Sequence, residues 1–146
     1  MILVDAHNLL HQDPRLGRLV RRDVEAARRE LERTLGARDD VILFYDGGPG
    51  GVAQARRRAG VRVDFSGGGE ADDRILAWLR ANAGRHVVIS DDRGLAARAR
   101  ALGAAVAPTR GFLAHASPAA APDKPEPTAD EVAFWLAIFE GRGDRP

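Results

Sequence analysis

The 146-residue sequence contains no cysteine. That excludes disulfides, zinc–thiolate sites, iron–sulfur clusters and thiol nucleophiles together, and it accords with a reducing compartment. There is no long apolar run, and the opening Met1-Ile2-Leu3-Val4-Asp5 has no charged leader segment. Neither a signal peptide nor a transmembrane helix is expected, so the expected location is the cytoplasm, with no membrane partner. Lysine is nearly absent: 21 of the 22 basic residues are arginine and only Lys124 is lysine. Arginine binds phosphate bidentately and stacks on bases. GC-rich or thermophilic coding produces the same bias, so the distribution of the arginines says more than their number. Several motifs are missing as well. No G-x-x-x-x-G-K-[ST] is present, which argues against a P-loop NTPase. The first apolar run is followed by Ala6-His7-Asn8 rather than a glycine-rich fingerprint, which argues against a dinucleotide-binding domain. There is no G-x-S-x-G elbow. Asp5-Ala6-His7 also fails the Asp-x-Asp test for a haloacid-dehalogenase-type phosphatase.

What is present reads as one ordinary globular domain, 45% hydrophobic and 29% charged, with a formal net charge of +1. The near-neutral total conceals a polarised distribution. Residues 15–38 carry eight arginines (Arg15, Arg18, Arg21, Arg22, Arg28, Arg29, Arg33 and Arg38) against four acids, and Arg56-Arg57-Arg58 forms a second cluster beside Arg62. Apolar runs alternate with helical patterns along the chain. Strands are predicted at 2–4, 41–45, 61–65, 86–90 and 104–107. Helices are predicted at about 19–35 (with Val20, Val24, Ala27, Leu31 and Leu35 on one face), 52–59, 71–83 and 94–102. Strands separated by helices imply βαβ crossovers, hence an α/β fold with a three-layer arrangement, a parallel sheet flanked by helices. The domain is expected to occupy 1–113. A Pro/Ala-rich linker follows over 114–127 and a C-terminal helix over 128–146, opened by the Thr128-Ala-Asp-Glu131 capping box. The stripe of Val132, Trp135, Leu136 and Phe139 must pack on the domain or on a partner, a second copy included.

The acids fall in a pattern. Three predicted strands end in aspartate: Asp5, Asp46 and the Asp91-Asp92 pair. A fourth cluster, Glu70-Ala71-Asp72-Asp73, opens the helix after Gly67-Gly68-Gly69. In a parallel sheet these positions share the carboxyl edge, where ligands bind. Carboxylates a few ångströms apart repel unless protonated or joined by a cation. With no cysteine and no histidine at ligand spacing, an all-oxygen site selects Mg²⁺ or Mn²⁺. Each acid alone has a structural reading: Asp72 or Asp73 as a cap of its helix, Asp91 as the cap of the helix from Arg93. Asn8 is placed to orient Asp5 or a metal-bound water, or to form a turn, and Ser90 to hydrogen-bond Asp5 or to end its strand. His7 and His11 are weaker candidates. Tyr45 and Phe44 read as core.

These residues together form a recognisable set. Ile2-Leu3-Val4-Asp5-Ala6-His7-Asn8-Leu9-Leu10 resembles the opening strand of NYN domains, specifically the YacP-like branch of the PIN-like nucleases. Phe44-Tyr45-Asp46-Gly47, Phe65-Ser66-Gly67 through Glu70-Ala71-Asp72-Asp73-Arg74-Ile75, and Val88-Ile89-Ser90-Asp91-Asp92-Arg93 resemble that family's later segments, in order and over nearly the whole chain. The chain departs from the family at Ala6-His7, where Gly-Tyr is common, and in lacking a threonine before Ala71. The resemblance implies a PIN-like fold and a metal-dependent endoribonuclease acting on single-stranded RNA, with messenger RNA on the ribosome as one setting. It implies that Asp5, Asp46, Asp72 or Asp73, and Asp91 or Asp92 hold one or two Mg²⁺ or Mn²⁺ ions, with alignment through Arg93 favouring Asp92. Glu70 would stand behind them. Arg21, Arg22, Arg28, Arg29, Arg56, Arg57 and Arg58 are the candidates for gripping the RNA backbone. The rival readings are a non-catalytic RNA- or ribosome-binding module on the same fold, and a phosphoesterase acting on DNA.

Overall fold

A computed structural model describes residues 1–36, 38–116 and 128–140. Six strands form one sheet: β1 (Ile2–Asp5), β2 (Val41–Tyr45), β3 (Gln54–Arg58), β4 (Val61–Phe65), β5 (Val87–Ile89) and β6 (Ala105–Ala107), in the order β3-β4-β2-β1-β5-β6. Helices α1 (Ala6–Gln12), α2 (Pro14–Val20) and α3 (Val24–Leu35) lie between β1 and β2. Helix α4 (Ala71–Ala81) joins β4 to β5, α5 (Arg93–Ala101) joins β5 to β6, and α6 (Phe112–Ala116) and α7 (Ala129–Phe139) follow. Strands β1, β2 and β5 read as unbroken apolar runs because both faces of a central parallel sheet are covered. Alternate side chains serve two cores. Val4, Leu43, Tyr45 and Phe65 face α1–α3, α6 and α7. Leu3, Ile42, Phe44 and Val88 face α4 and α5, against Ile75, Leu76 and Leu95. Strand β1 pairs with β2 on one side and β5 on the other, both parallel. The connections therefore diverge from β1, and a crevice opens at the carboxyl ends of these strands.

Two expectations are corrected. The sheet is mixed rather than all parallel, because residues 52–59 do not form a helix. A 3₁₀ turn (Pro49–Gly51) precedes them, and Gln54–Arg58 within them is β3, which pairs antiparallel with β4. Gln54–Arg58 offers no apolar face for a helix to bury. Arg58 pairs with Val61, leaving Ala59 and Gly60 as a two-residue turn, both at positive φ (49° and 88°), the hairpin geometry that matches strand twist. The helix expected over 19–35 is two helices. Asp23 adopts an extended backbone (φ −159°) and accepts from the Ala26 N–H, so α3 begins at Val24. Before it, Asp13 caps α2 through the Arg15 and Leu16 N–H groups, with Pro14 at the first helical position.

The boundary expected at 113/114 falls inside α6, whose Phe112 and Leu113 are core. The rest of the expected linker, 117–127, and the segment 141–146 lie outside the described residues. Helix α7 carries the full Thr128–Glu131 capping box. Trp135 and Ile138 enter the core beside Phe112, while Phe134 and Leu136 stay exposed (44% and 52%). Among the described residues no helix is long and apolar enough to cross a membrane.

The loops at the carboxyl edge are locked by glycines. Gly47 and Gly67 bridge, the Gly67 N–H donating to the Gly47 carbonyl at 2.8 Å. Gly67 has φ +68°, and a Cβ there would lie 2.4 Å from the Ala53 nitrogen. Gly67→Ala is expected to destabilise the fold by about 2 kcal/mol or more, read as a lower urea midpoint. An unchanged midpoint would show that the loop accommodates the methyl group.

Candidate functional site

Register decides what meets at the crevice. Val4 pairs with Ile89 and Asp5 with Phe44, so Asp5 and Ser90 lie side by side and Asp46 stands just beyond. Asp5 is both the last residue of β1 and the N-cap of α1, 6% exposed, its Oδ1 accepting from the Asn8 N–H at 3.4 Å. Its Oδ2 accepts from the Ser90 hydroxyl at 2.9 Å, and Ser90 Oγ in turn accepts from the Asp92 N–H at 3.1 Å. The Asn8 side-chain oxygen accepts from the Asp91 N–H at 2.8 Å, fastening α1 to the β5–α5 turn. Asp46 is held differently. The N-cap residue of α4, Glu70, makes no side-chain capping bond, and Asp46 Oδ1 accepts the Ala71 N–H at 2.8 Å instead. The favourable dipole at that helix end suits a carboxylate. Ser66 steadies the same turn, accepting from the Gly47 N–H and donating to the Gly69 carbonyl.

Asp5, Asn8, Asp46, Asp72 and Asp92 line one open cavity of about 500 Å³, with His7, Gly69 and Glu70 on its rim. The alternatives left open by the sequence are resolved by local geometry. Asp72 faces the cavity, whereas Asp73, one residue further round α4, points to solvent. Asp92 faces it while capping α5 through the Leu95 N–H at 2.9 Å. Asp91 is turned away: both its oxygens are taken by Thr109, from the backbone N–H at 3.1 Å and the hydroxyl. Of the expected cluster, Asp73 and Asp91 therefore do not line this cavity, and the cap expected of Asp91 belongs to Asp92.

The electrostatics are those of crowded acids. Burial pushes the Asp5 carboxyl up; the Ser90 and Asn8 hydrogen bonds oppose this, and the negative charges of Asp46 and Asp92 add to it. Asp72 is raised from 3.8 to about 6, first by burial, then by Asp5 and Asp92, against the pull of Arg98 at 3.6 Å. Such a site favours a cation or protons. Apart from His7, the side-chain donors lining it are oxygen, the chemistry that fits Mg²⁺ or Mn²⁺. The cluster is open as it stands: among the described residues no three acidic or imidazole side chains converge closely enough to enclose a metal ion. A raised carboxyl costs the fold nothing below its unfolded value and its full penalty above its folded value. Asp72→Asn is accordingly expected to gain stability at pH 7–8, on the order of 1 kcal/mol after solvent screening. The gain should vanish by about pH 4. A gain that is constant with pH would refute this origin.

The arginines divide. Arg21, Arg22 and Arg29 are exposed, and their side chains make no hydrogen bond or ion pair among the described residues. They sit on the α2–α3 corner and the first half of α3, next to the carboxyl edge, since Arg28 reaches the Asp46 carbonyl at 3.1 Å. Arg28 itself is internal, over the Tyr45 and Phe65 rings. Arg56 is exposed with its guanidinium over Phe65, and Arg57 pairs with Asp39 at the surface. Arg58 is corrected from backbone grip to structure: it pairs with Glu25 and with the buried Glu32. Sequence reasoning missed Glu32, Arg98 and Thr109. Glu32 had a signal, since it shares the inward stripe of α3 with Ala27, Leu31 and Leu35 and follows Arg28 by four residues.

Two comparisons bear on this geometry. A profile described as the YacP-like NYN domain matches residues 2–127. The crystal structure of Rae1 (YacP) from Bacillus subtilis, a W164L mutant, superposes with a TM-score of 0.63 at 25% identity, covering 79% of this chain and 73% of that one. Comparison with curated protein sequences gives no significant match.

Proposed function

The chain belongs to the YacP-like NYN domain family, whose members are nuclease-like domains associated with RNA, and from that premise we propose that it is a metal-dependent endoribonuclease. The observation that supports the reading is the convergence of Asp5, Asp46, Asp72 and Asp92 from four separate segments on one open cavity. A fold needs no such arrangement for its own stability: the Asp5 and Asp72 carboxyls are raised by burial first and by the neighbouring carboxylates after it.

Asp5, Asp46, Asp72 and Asp92 are the side chains that would hold Mg²⁺ or Mn²⁺. A bound ion would supply Lewis acidity toward the phosphate and a more acidic water. Ser90 fixes the orientation of Asp5 from behind, and the α4 N-terminus fixes Asp46. Asn8, held by its bond from the Asp91 N–H, lines the same cavity. Glu70 and His7 border the entrance. The exposed Arg21, Arg22 and Arg29 lie where an RNA backbone approaching the carboxyl edge would pass, and Arg56 and Arg57 extend the basic surface along the β3 edge. The open mouth suits a single strand, with messenger RNA on the ribosome as one setting and the cytoplasm as the location.

The chemistry of the cut ends tests the reading. Attack by water leaves no 2′,3′-cyclic phosphate, whereas attack by the neighbouring 2′-hydroxyl does. RNA cut by the purified protein with Mg²⁺ or Mn²⁺ is expected to yield only linear phosphate ends by mass spectrometry. Cyclic phosphate ends, or cutting that persists in EDTA, would overturn the metal-dependent hydrolysis.

A further inference from the structure

A second cavity, of about 550 Å³, lies between α1, the α1–α2 turn and the β6–α6 loop. Chain neighbours line it and the carboxylate pocket at two places. Asn8 lines one cavity and Leu9 the other; Asp92 lines one and Asp91 the other. The bond from the Asp91 N–H to the Asn8 oxygen links the two pairs. Both oxygens of Asp91 are spent on Thr109, so the aspartate that left the acidic cluster serves to fix the loop Pro108–Gly111 over this second space. Gly111 keeps that loop against α7: at φ +83°, a Cβ there would meet the Trp135 indole nitrogen at 3.0 Å. Leu9, Pro14, Pro108 and Leu113 give the cavity apolar walls. Gln12 and Arg110 also line it, exposed, with no side-chain hydrogen bond or close ion pair among the described residues, although the Arg110 charge is felt by Glu131.

We propose that this cavity is a nucleobase subsite, taking one unpaired base of the strand whose adjacent phosphate lies over the carboxylate pocket; the proposal rests on the ribonuclease reading. A cavity of several hundred cubic ångströms with apolar walls and few polar groups at the rim is what a small planar ligand needs. An unstacked base of single-stranded RNA supplies the flat face, and its edge supplies hydrogen-bond donors and acceptors. The Gln12 amide offers one donor and one acceptor to that edge. The Arg110 guanidinium offers a plane to stack on or a fork for the flanking phosphate. Because chain neighbours (Asn8 and Leu9, Asp92 and Asp91) line the two cavities, base and scissile linkage would belong to nearby nucleotides. The subsite would therefore select which linkage is cut.

The test uses the four nucleoside 5′-monophosphates as probes against the full chain in EDTA, followed by backbone amide shifts in NMR. One or more is expected to shift Leu9, Gln12, Thr109 and Arg110 along a saturable curve. Gln12→Ala is expected to weaken that binding about 5-fold, the loss of one hydrogen bond, and inorganic phosphate alone should not reproduce the Leu9 shift. In parallel, cleavage maps of one long RNA by wild type, Gln12→Ala and Arg110→Ala should differ in which linkages are preferred. Shifts absent from this cavity, or maps identical in all three proteins, would overturn the subsite. Saturable base binding here with no RNA cleavage by wild type would leave the subsite standing and remove the ribonuclease reading instead.

Discussion

Asp5→Asn is expected to lower RNA cleavage by roughly 10³-fold or more, the loss of several kcal/mol of transition-state stabilisation when a cation loses a central ligand. The protein should remain folded and become more stable at neutral pH. Asp5 is 6% exposed, stands between Asp46 and Asp92, and receives hydrogen bonds from the Ser90 hydroxyl and the Asn8 N–H. An asparagine keeps one oxygen for those donors and turns its amide toward Ser90, which can accept. What disappears is a charge that burial and two like neighbours disfavour. The carboxyl pKa of Asp5 is raised, so its penalty is absent below the ordinary carboxylate range and complete above the raised value. The stability difference between variant and wild type should therefore grow from acid to neutral pH. Initial rates with saturating Mn²⁺ and urea midpoints across pH measure both effects. An unfolded variant would make Asp5 structural, and an unchanged rate would place the reaction elsewhere.

Arg58→Ala is expected to destabilise the fold by about 3–5 kcal/mol, the cost of leaving a buried charge without its partner. Glu32 is 1% exposed on the inner face of α3. It accepts from the Tyr45 hydroxyl at 3.1 Å and from Arg58 Nε at 3.0 Å. Burial already raises the Glu32 carboxyl, with the Arg58 charge as the main opposing influence. Removing that charge strands the carboxylate and raises it further. The loss should be greatest above neutral pH and shrink as acid protonates Glu32. Arg57→Ala, one residue away, is the control. Its side chain is 57% exposed and its partner Asp39 84% exposed, so a change within about 0.5 kcal/mol is expected. Equal shifts of the urea midpoint for both variants would contradict the assignment of Arg58 to the interior.

The contrast between these arginines shows what the sequence could and could not reveal. Three consecutive arginines read as one basic cluster, but a strand sends neighbours to opposite faces. Once residues 54–58 are a strand, Arg58 falls on the side of Glu32 and Phe65 while Arg57 falls on the other. The helix predicted over 52–59 hid that alternation, and the turn Ala59-Gly60 lacks the Asn-Gly signal that announces a two-residue hairpin. The central strands were legible because apolar runs ending in aspartate leave few alternatives. The carboxyl edge followed from the alternation of strands and helices. Asp72 against Asp73 was not legible, since it depends on the rotation of α4 about its axis. Asp92 over Asp91 was favoured only by the family resemblance through Arg93; its physical basis, Thr109 holding both oxygens of Asp91, lies seventeen residues beyond Asp92 and was not legible. The break at Asp23 carried a plain capping signal that a single apolar stripe over 19–35 obscured, and the Asp13-Pro14 signal upstream of that stripe marks the start of α2.

The most direct measurement is cleavage of a labelled single-stranded RNA by the purified protein in EDTA, Mg²⁺ and Mn²⁺, beside the Asp5→Asn/Asp92→Asn double variant. The account predicts cutting with either metal, none in EDTA, and none by the variant, whose circular dichroism spectrum should match wild type. Cutting by the double variant, or RNA that is bound but left intact by wild type under every metal condition, would contradict it.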